Sequence, residues 1–576
     1  MVNQVKMLQF ALERKWTNIM VGTAKFSKNN NTLTVLFLSA LAIGIALRLY
    51  QFTGQILIDD EWHAVYQLIE QHRPMEIFLS FGVYDYCIPL TLLYWLETSW
   101  FGLSEFGMRW PMLLCGSAAL ILFPLYIWGA LGARYAILFA FLLAISPVLV
   151  LYSRIARPYA LTVLLVYLAH YAFDRYCNSS ARRPLTGALY GTSAILATWM
   201  HLVAGPMVVA PLLYQCGSLF LNTPADRNVR IRLLLQLGLP TVLGMALLVG
   251  PPLMANVSAI AGKSGVDSPS LQTVVGALHW WAGSGSTAVV VLTVLLAAFG
   301  FPTLWRRLPL VRTIAFGLLL TLLTLLLMRP AWIQNPITFG RYLLPVIPLL
   351  LLSVAAGTVR LADFANHASL VISRFLISAI LAFPVLSMAA QSPLREIFFY
   401  PNSNIANPFF YFDFRPEHNP LPKQFDRYAP LSSFWSQLRV LEPGSIRIAA
   451  APFYFESYSW DAPRWERISR QHIVPAYLSG LCVVPHLSEL PHDVRFKFHN
   501  VVFVSDDADL ALKKIDMITF RKPFMVTKDN GTKIIIGDDT RQCESALRNR
   551  FGLPIYEDEK LVVFAAYNHI DQNNDK

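Results

Sequence analysis

Three adjacent carboxylates, Asp59, Asp60 and Glu61, form the cluster in this sequence that is best suited to chemistry. They follow directly on a long apolar segment. Neighbouring carboxylates repel each other and are costly to desolvate near a membrane. Such a cluster can act as a general base, bind a metal ion or receive a cationic group. A solvated helix N-terminus, capped by Asp59 with Glu61 on the helix dipole, is the alternative interpretation.

Arginines in two short segments could bind an anion. Arg154 and Arg157 lie in a turn at 153–161, and Arg341 begins the segment 340–348. Arginine binds phosphate through paired N–H donors, so these segments suit a phosphorylated substrate. The alternative is that the side chains reach out to lipid head groups. The sequence contains no clustered Cys/His ligands, no Walker motif and no GxSxG, so zinc-site, ATP-driven and serine-hydrolase functions have no support.

The composition is that of a membrane protein. Of 576 residues, 55% are hydrophobic and 14% charged, whereas soluble domains average about 25% charged residues. This excludes an ordinary cytosolic enzyme, and six cysteines in so apolar a chain exclude a disordered or disulfide-rich protein. Residues 1–390 hold 25 Lys/Arg and 13 Asp/Glu, while residues 391–576 hold 22 and 23. The net charge of +11 therefore comes from the apolar residues 1–390, and the C-terminal part is close to neutral. This distribution disfavours a nucleic-acid partner.

Apolar segments of the length that crosses a bilayer, about 20 residues, recur through the first 390 residues. We predict about eleven transmembrane helices, at 32–50, 109–130, 133–151, 158–173, 185–200, 202–221, 233–253, 286–304, 311–328, 343–360 and 369–390. Basic residues favour the cytoplasmic side. With the N-terminus in the cytoplasm, 17 basic residues fall inside and seven outside, and the C-terminal domain is placed outside.

Residues 1–31 are predicted to be a cytoplasmic segment rather than a cleavable signal peptide, because the charged region is too long and no small-residue cleavage site follows. Residues 5–20 form either an amphipathic surface helix or a solvated lead-in.

The first outer loop, 51–108, holds eight of the 13 acids before residue 390. Its apolar stretch 87–104 is predicted to lie in the interface, because counting it as a span would invert the topology of everything downstream.

Residues 391–576 are predicted to form a periplasmic α/β domain after an irregular, aromatic-rich segment at 391–440. Strands are expected at 446–451, 501–504, 533–536 and 561–566, and helices near 463–470, 507–515 and 540–549. Asn530-Gly531 indicates a hairpin turn. Cys482 and Cys543 either pair, as an extracytoplasmic location allows, or remain two buried thiols.

Four motifs together resemble the GT-C superfamily of glycosyltransferases, of the protein O-mannosyltransferase and aminoarabinose-transferase type. An Asp-Glu pair soon after the first span appears as Asp60-Glu61, and an Arg-x-Pro at the second span is residues 109–111. A turn similar to Ser-Arg-x-x-Arg-x-Tyr-Ala-Leu is residues 153–161, and a span start similar to Arg-Tyr-x-x-Pro-x-x-Pro is residues 341–348. Relatives often carry His-Pro-Pro-Leu in the first loop; here residues 86–90 lack that histidine, and His63 or Asp85 is the conjectured substitute.

The resemblance implies a GT-C fold with an extracytoplasmic active site and a polyprenyl-phosphate-linked sugar donor. It implies an acceptor that is a glycolipid, a polysaccharide or a protein, transfer with inversion, and a location in the bacterial inner membrane. A divalent metal ion is left open because metal dependence varies among relatives, and no cofactor or metal ligand is assigned. The implied site has Asp60 and Glu61 as catalytic residues, and these substrate-binding residues: Asp59, His63, Arg154, Arg157, Tyr159, His201, Arg341 and Tyr342.

Two other functions compete with sugar transfer. A transporter or flippase for a lipid-linked glycan would explain the spans and the outer arginines. It would also favour charges or broken helices at mid-span, and the predicted spans contain no mid-span acid. A glycan polymerase or ligase uses the same lipid-phosphate leaving group, so only the product distinguishes it from a sugar transferase.

Overall fold

The computed structural model consists of a helical part followed by a smaller domain with a β-sheet. The residues that the structure describes are 31–50, 52, 57, 61–70, 73–81, 87–178, 183–222, 227–368, 374–390, 394, 431–452, 462–482, 499, 501–527, 533–536 and 541–566. The predicted N-terminal segment and most of the aromatic-rich segment at 391–440 lie outside these residues.

The helical part contains eighteen α-helices in its described residues. They are α1 Asn31–Leu49, α2 Trp62–Glu70, α3 Pro74–Leu79, α4 Ile88–Trp100, α5 Glu105–Leu131, α6 Ala133–Ile145, α7 Pro147–Tyr152, α8 Tyr159–Asn178, α9 Arg183–Met200, α10 Gly205–Asn222, α11 Arg227–Ala255, α12 Val257–Gly262, α13 Leu271–Ala282, α14 Thr287–Arg307, α15 Pro309–Met328, α16 Pro336–Tyr342, α17 Val346–Ala368 and α18 Arg374–Ala390.

Ten of the eleven predicted spans each overlap one long helix, and the eleventh is divided between two helices, which agrees with a polytopic helical membrane protein. By length and composition, seven helices in the described residues can cross a membrane: Asn31–Leu49, Glu105–Leu131, Leu202–Leu221, Arg227–Ala255, Thr287–Arg307, Pro309–Met328 and Val346–Ala365. Two further apolar helices, Ala133–Ile145 and Ile377–Ala390, are shorter. The stretch predicted to lie in the interface forms α4, whose 13 residues are fewer than a span requires.

One predicted span is interrupted. The segment predicted at 133–151 divides into α6 and α7, because Ser146 adopts an extended conformation and Pro147 begins the next helix. Proline has no backbone N–H and favours the first turn of a helix. This break turns the chain just before residues 153–158, which carry two of the candidate arginines.

The C-terminal domain has a six-stranded sheet in the order β3-β2-β1-β4-β8-β7 and a separate hairpin of β5 and β6. Strands β3, β2, β1 and β4 run parallel to one another, and β8 runs antiparallel to β4. The strands are β1 Arg447–Ala451, β2 His472–Tyr477, β3 Val502–Phe503, β4 Met517–Arg521, β5 Phe524–Thr527, β6 Lys533–Ile536, β7 Tyr556–Glu557 and β8 Leu561–Ala565. The helices are α19 Phe434–Gln437, α20 Ala462–Ser469, α21 Asp507–Leu512 and α22 Arg541–Phe551.

The two faces of this sheet belong to different hydrophobic cores. One face, which includes Ile448 and Val563, is continuous with the core of the helical part. The other face packs against α22 and the buried Cys543 in a separate core. Cys482 and Cys543 form a disulfide with their Cα atoms 5.4 Å apart. The domain therefore has one face turned toward the helices and one face covered by its own helix.

Contacts join the domain to the helical part. The backbone N–H of His499 donates to the carbonyl oxygen of Leu103 at 2.8 Å, just before α5 begins. A ring nitrogen of His499 lies 2.8 Å from the carbonyl oxygen of Phe101. Arg447 lies close enough to Glu105, the first residue of α5, for their charges to attract.

Candidate active site

Glu61 joins three elements at one end of the helical part. Arg109 Nε donates to Glu61 Oε1 and Arg109 Nη2 donates to Glu61 Oε2, both at 2.7 Å. The backbone N–H of Ala156 donates to Glu61 Oε1 at 2.8 Å. Both charged side chains are at most 1% exposed. We call this set the ionic clasp. It fixes residue 61 against α5 and against residues 153–158, which we call the arginine turn.

A buried arginine anchors the arginine turn from the first helix. Arg48, in the last turn of α1, donates from Nε to Ser153 Oγ at 3.1 Å and from Nη1 to the Gly44 carbonyl at 2.8 Å. Gly116 of α5 makes room for this contact, since a Cβ atom there would lie 2.0 Å from Ser153 Oγ. Arg48 therefore holds the end of α1 against the arginine turn.

Arg154 binds the end of α1. Its Nη1 donates to the carbonyl oxygens of Leu47, Arg48 and Tyr50 at 3.2, 3.0 and 2.6 Å. The last carbonyls of a helix lack intrahelical partners and carry partial negative charge, so a buried cation stabilises them. Burial, followed by repulsion from Arg109, lowers the pKa of Arg154 to about 10, so it stays protonated at neutral pH. In this position Arg154 stabilises the end of α1, and the substrate contact expected from the sequence stays a prediction.

Three further candidate residues, Tyr159, His201 and Tyr342, form a row of aromatic rings, and Arg341 lies beside it. The ring centroid of His201 lies 5.5 Å from that of Tyr159 and 5.7 Å from that of Tyr342. The guanidinium carbon of Arg341 lies 5.9 Å from the Tyr342 ring centroid. A cavity of about 290 Å³ is lined by these four residues, together with Val163 of α8, Met207 of α10 and Thr321 of α15. The sequence segments 153–161, 201 and 341–348 are thus brought together in space.

His201 lies between two arginines. Burial, together with repulsion from Arg157 and then Arg341, lowers the pKa of His201 to about 3. The imidazole is therefore neutral at physiological pH and can donate one hydrogen bond and accept another. Arg341 lines the cavity, and Arg157 lies close enough to His201 for its charge to act there. Such a cationic wall suits a phosphate group.

The backbone around Arg341 is held by a tryptophan. Trp281 Nε1 donates to the carbonyl oxygen of Gly340 at 3.1 Å. A Cβ atom on Gly340 would lie 2.8 Å from the ring of Trp280, so only glycine fits there without a shift. The tryptophan pair, at the end of α13, therefore acts as packing support for the arginine rather than as an exposed platform.

Asp59 and Asp60 lie outside the described residues. Residue 61 is described, and the clasp brings the chain directly after Asp60 against the arginine turn. His63 lies half-buried on α2, two residues after Glu61. In the part of the chain that the structure describes, no group of three His, Cys, Asp or Glu side chains is placed to hold a metal ion.

Two important residues were absent from the candidates predicted from sequence. Arg109 was noted only as part of a motif, although it is a basic residue on the predicted outer side, where most of the acids of residues 1–390 lie. Arg48 stands at the end of an apolar helix, where a charge is costly unless it is bound. Each of the two arginines stands at a position where the predicted distribution of basic and acidic residues across the membrane would not place a cation. The partner, 48 positions away for Arg109, follows only from the tertiary structure.

No protein-family model and no curated protein sequence matches the chain. Among solved structures, the chain is similar to ArnT from Cupriavidus metallidurans in the apo state, with 13% identity and a TM-score of 0.41. That similarity covers 94% of this chain and 98% of the other. A second structure of the same protein, bound to undecaprenyl phosphate, has 12% identity and a TM-score of 0.41, covering 93% and 98% of the two chains. The function proposed below rests on the residues of this chain.

Proposed function

We propose that the protein is a membrane glycosyltransferase that moves a sugar from a polyprenyl-phosphate-linked donor to an extracytoplasmic glycolipid, polysaccharide or protein. The observation that supports this most directly is the ionic clasp. It joins Glu61, the last residue of the acidic run, to the arginine turn. This supports placing a carboxylate for proton transfer beside arginines for a phosphate.

The reaction is a single displacement. Asp60 accepts the proton of the acceptor hydroxyl as the new bond to the anomeric carbon forms. The bond from that carbon to the phosphate oxygen breaks, and polyprenyl phosphate leaves with the electron pair. Attack opposite to the leaving group inverts the configuration at the anomeric carbon.

Each charged group has a separate role in this reaction. Arg157 and Arg341 stabilise the negative charge that grows on the departing phosphate, because fixed donors act most strongly in a site without bulk water. Glu61 has both oxygens engaged with Arg109 and the backbone of Ala156, so we assign it the role of positioning Asp60. Tyr159 and Tyr342 form the wall beside the arginines.

The disulfide supports the proposed orientation. Disulfides persist in oxidising compartments such as the periplasm and are rare in the cytosol. The Cys482–Cys543 bond therefore favours an extracytoplasmic C-terminal domain, with the N-terminus in the cytoplasm. His499 of that domain contacts Phe101 and Leu103, just before α5, which carries Arg109. This contact supports a site on the same side of the membrane as the domain.

Mass spectrometry of envelope glycolipids, polysaccharides and glycoproteins tests this function. We compare cells that carry the wild-type gene, the Asp60→Asn variant or no gene. Glu76→Gln is the matched control, because Glu76 is an acid of the same loop whose side chain is 49% exposed. We expect one class of molecule to carry an added sugar in the wild type and the control, and to lack it in the other two strains.

The competing functions predict different results. A flippase would leave every acceptor unmodified and would change only the side of the membrane on which the lipid-linked glycan is found. A polymerase or ligase would change the length or the attachment of a polysaccharide. Modification at the wild-type level in Asp60→Asn cells would overturn the assignment of the base.

A further inference from the structure

A proline leaves one carbonyl of α10 without its usual helical donor. In an α-helix the carbonyl oxygen of each residue accepts from the N–H four residues later. Four residues after Met207 stands Pro211, inside α10. Proline carries no backbone N–H, and its ring presses against the carbonyl four residues before it. Because this helix is in the apolar part of the chain, the Met207 carbonyl needs a donor from a neighbouring helix.

His170 of α8 supplies that donor. Its Nε2 atom lies 3.1 Å from the Met207 carbonyl oxygen, and its Nδ1 atom lies 2.8 Å from Thr313 Oγ1 of α15. Because a carbonyl oxygen can only accept, Nε2 carries the proton. In a neutral ring Nδ1 then accepts from the Thr313 hydroxyl, whose other neighbour is the Leu310 carbonyl at 3.0 Å. The imidazole is fully buried and thus joins three helices.

The next carbonyl of α10 is bound in a similar way. The hydroxyl of Tyr190, on α9, donates to the carbonyl oxygen of Val208 at 2.9 Å, and Tyr190 is also fully buried. Gly317 of α15 leaves room beside the first carbonyl, because a Cβ atom there would lie 3.1 Å from the Met207 oxygen. We call His170 and Tyr190, with the two carbonyls that they bind, the carbonyl clamp. It stabilises α10 where the hydrogen bonding of the helix itself is interrupted.

The carbonyl clamp lies directly after a segment of the candidate active site. Residues 201–207 run from His201 into the first turn of α10. His201, Met207 and Arg341 all line the candidate cavity. Because Pro211 removes a hydrogen bond that would tie this turn to the next, contacts from neighbouring helices determine where the turn lies. A shift of the turn would move His201 relative to Arg341.

We propose that His170 is a positioning residue for the candidate active site. It replaces the donor that Pro211 removes, and it thereby fixes the side of the cavity that carries His201. This role rests on the proposed function, in which Arg341 of the same cavity stabilises the departing phosphate. His170 itself contacts the backbone of α10 and takes no part in the transfer of the sugar.

Two substitutions at His170 test whether a donor at the position of Nε2 is what matters. A glutamine amide nitrogen can reach that position, whereas the shorter asparagine amide lies near the position of Nδ1. His170→Asn should raise the KM for a polyprenyl-phosphate-linked sugar about tenfold, the scale of one buried polar group left unpaired, with a smaller change in kcat. His170→Gln should stay near the wild-type KM. Thr358→Val is the matched control, because the buried Thr358 hydroxyl donates within its own helix, to the Val354 carbonyl at 2.8 Å.

Removal of the proline should remove the need for the clamp. Pro211→Ala gives residue 211 an N–H that can donate to the Met207 carbonyl within α10. His170→Leu should therefore lower the melting temperature of the detergent-solubilised protein strongly in the wild type and much less in Pro211→Ala. If His170→Leu does not fold, folding of the double variant is the same rescue. Tyr190→Phe should have a smaller effect, because the residue four positions after Val208 is a leucine with its own N–H.

The two measurements fail separately. Equal losses of melting temperature in both backgrounds would overturn the clamp, and so would a His170→Gln variant with the same KM as His170→Asn. A wild-type KM in His170→Asn would show that the clamp is structural only and would overturn the positioning role. Rescue by Pro211→Ala in a protein that transfers no sugar would retain the hydrogen bond but reject the proposed function and the positioning role with it.

Discussion

Arginine–carboxylate pairs occur in both parts of the molecule, in opposite surroundings. In the helical part, Arg109 and Glu61 are at most 1% exposed and share two hydrogen bonds of 2.7 Å. In the C-terminal domain, Arg548 binds Glu557 at 2.8 Å, but their side chains are 34% and 38% exposed. The bonds are similar in length, so the difference between the pairs lies in their access to water.

Burial decides what such a pair can do. A buried pair is costly to form and still more costly to break, so it fixes the elements that carry it. An exposed pair exchanges with water and contributes little. The clasp therefore suits the positioning of a reactive neighbour, whereas Arg548 and Glu557 remain accessible to solvent. Three substitutions test this contrast, in order of decreasing effect.

The largest effect is expected from Glu61→Gln. It removes the charged acceptor of two hydrogen bonds from the buried Arg109 guanidinium, which costs about 3 kcal/mol or more. We expect a marked fall in the melting temperature of the detergent-solubilised protein, measured by scanning fluorimetry. Sugar transfer should also be lost, because Glu61, the residue after the proposed base Asp60, no longer binds the arginine turn.

A double-mutant cycle separates the pair from its surroundings. Glu61→Gln combined with Arg109→Gln should destabilise less than the sum of the two single changes. Glu76→Gln, at an exposed acid of the same loop, is the control and should melt as the wild type does. Additive effects of the two single changes would show that the clasp is not a stabilising unit.

An intermediate effect is expected from Arg154→Gln. The change removes a charged donor from three carbonyl oxygens at the end of α1, for a loss of about 1–3 kcal/mol. Arg134→Gln is matched to it, because Arg134 also pairs at a helix end but is 65% exposed. Its expected cost is at most about 1 kcal/mol. Equal melting temperatures for the two variants would remove the assigned role of Arg154.

The smallest effect is expected from Glu557→Gln, at most about 1 kcal/mol because the side chain is well exposed. Its hydrogen bonds to Arg548 and then to Lys522 hold the pKa of Glu557 below its usual range. A lowered carboxyl pKa stabilises the folded state above the pKa of the unfolded chain, about 4.3, and that stability is lost as the pH falls further. The wild type and Glu557→Gln should thus differ above about pH 5 and converge toward pH 3. A difference that grows in acid would contradict this sign.

The helical architecture could be predicted from the sequence because apolar length alone identifies a span. The break at Ser146-Pro147 was missed because the apolar run continues through it. In the C-terminal domain, β2 was missed because it contains Pro475, and proline is unusual inside a sheet. β4 was not predicted either, although it lies at the centre of the sheet between β1 and β8.

The candidate site could be predicted by residue type but not by role. Unusual charges on the outer side identified Glu61 and Arg154, and the structure places both in the same region. Their partners, Arg109, the Ala156 N–H and the carbonyls at the end of α1, depend on contacts between distant segments. Sequence alone therefore could not distinguish a residue that contacts substrate from one that positions it.

The most direct test of the account is the rate at which purified protein in lipid vesicles releases polyprenyl phosphate from a labelled polyprenyl-phosphate sugar. Release should match the sugar gained by the acceptor. Asp60→Asn should slow both by about a hundredfold or more, the scale of general-base catalysis, while Glu76→Gln leaves both unchanged. Transfer by Asp60→Asn at the wild-type rate, or no sugar transfer by the wild type, would contradict the account.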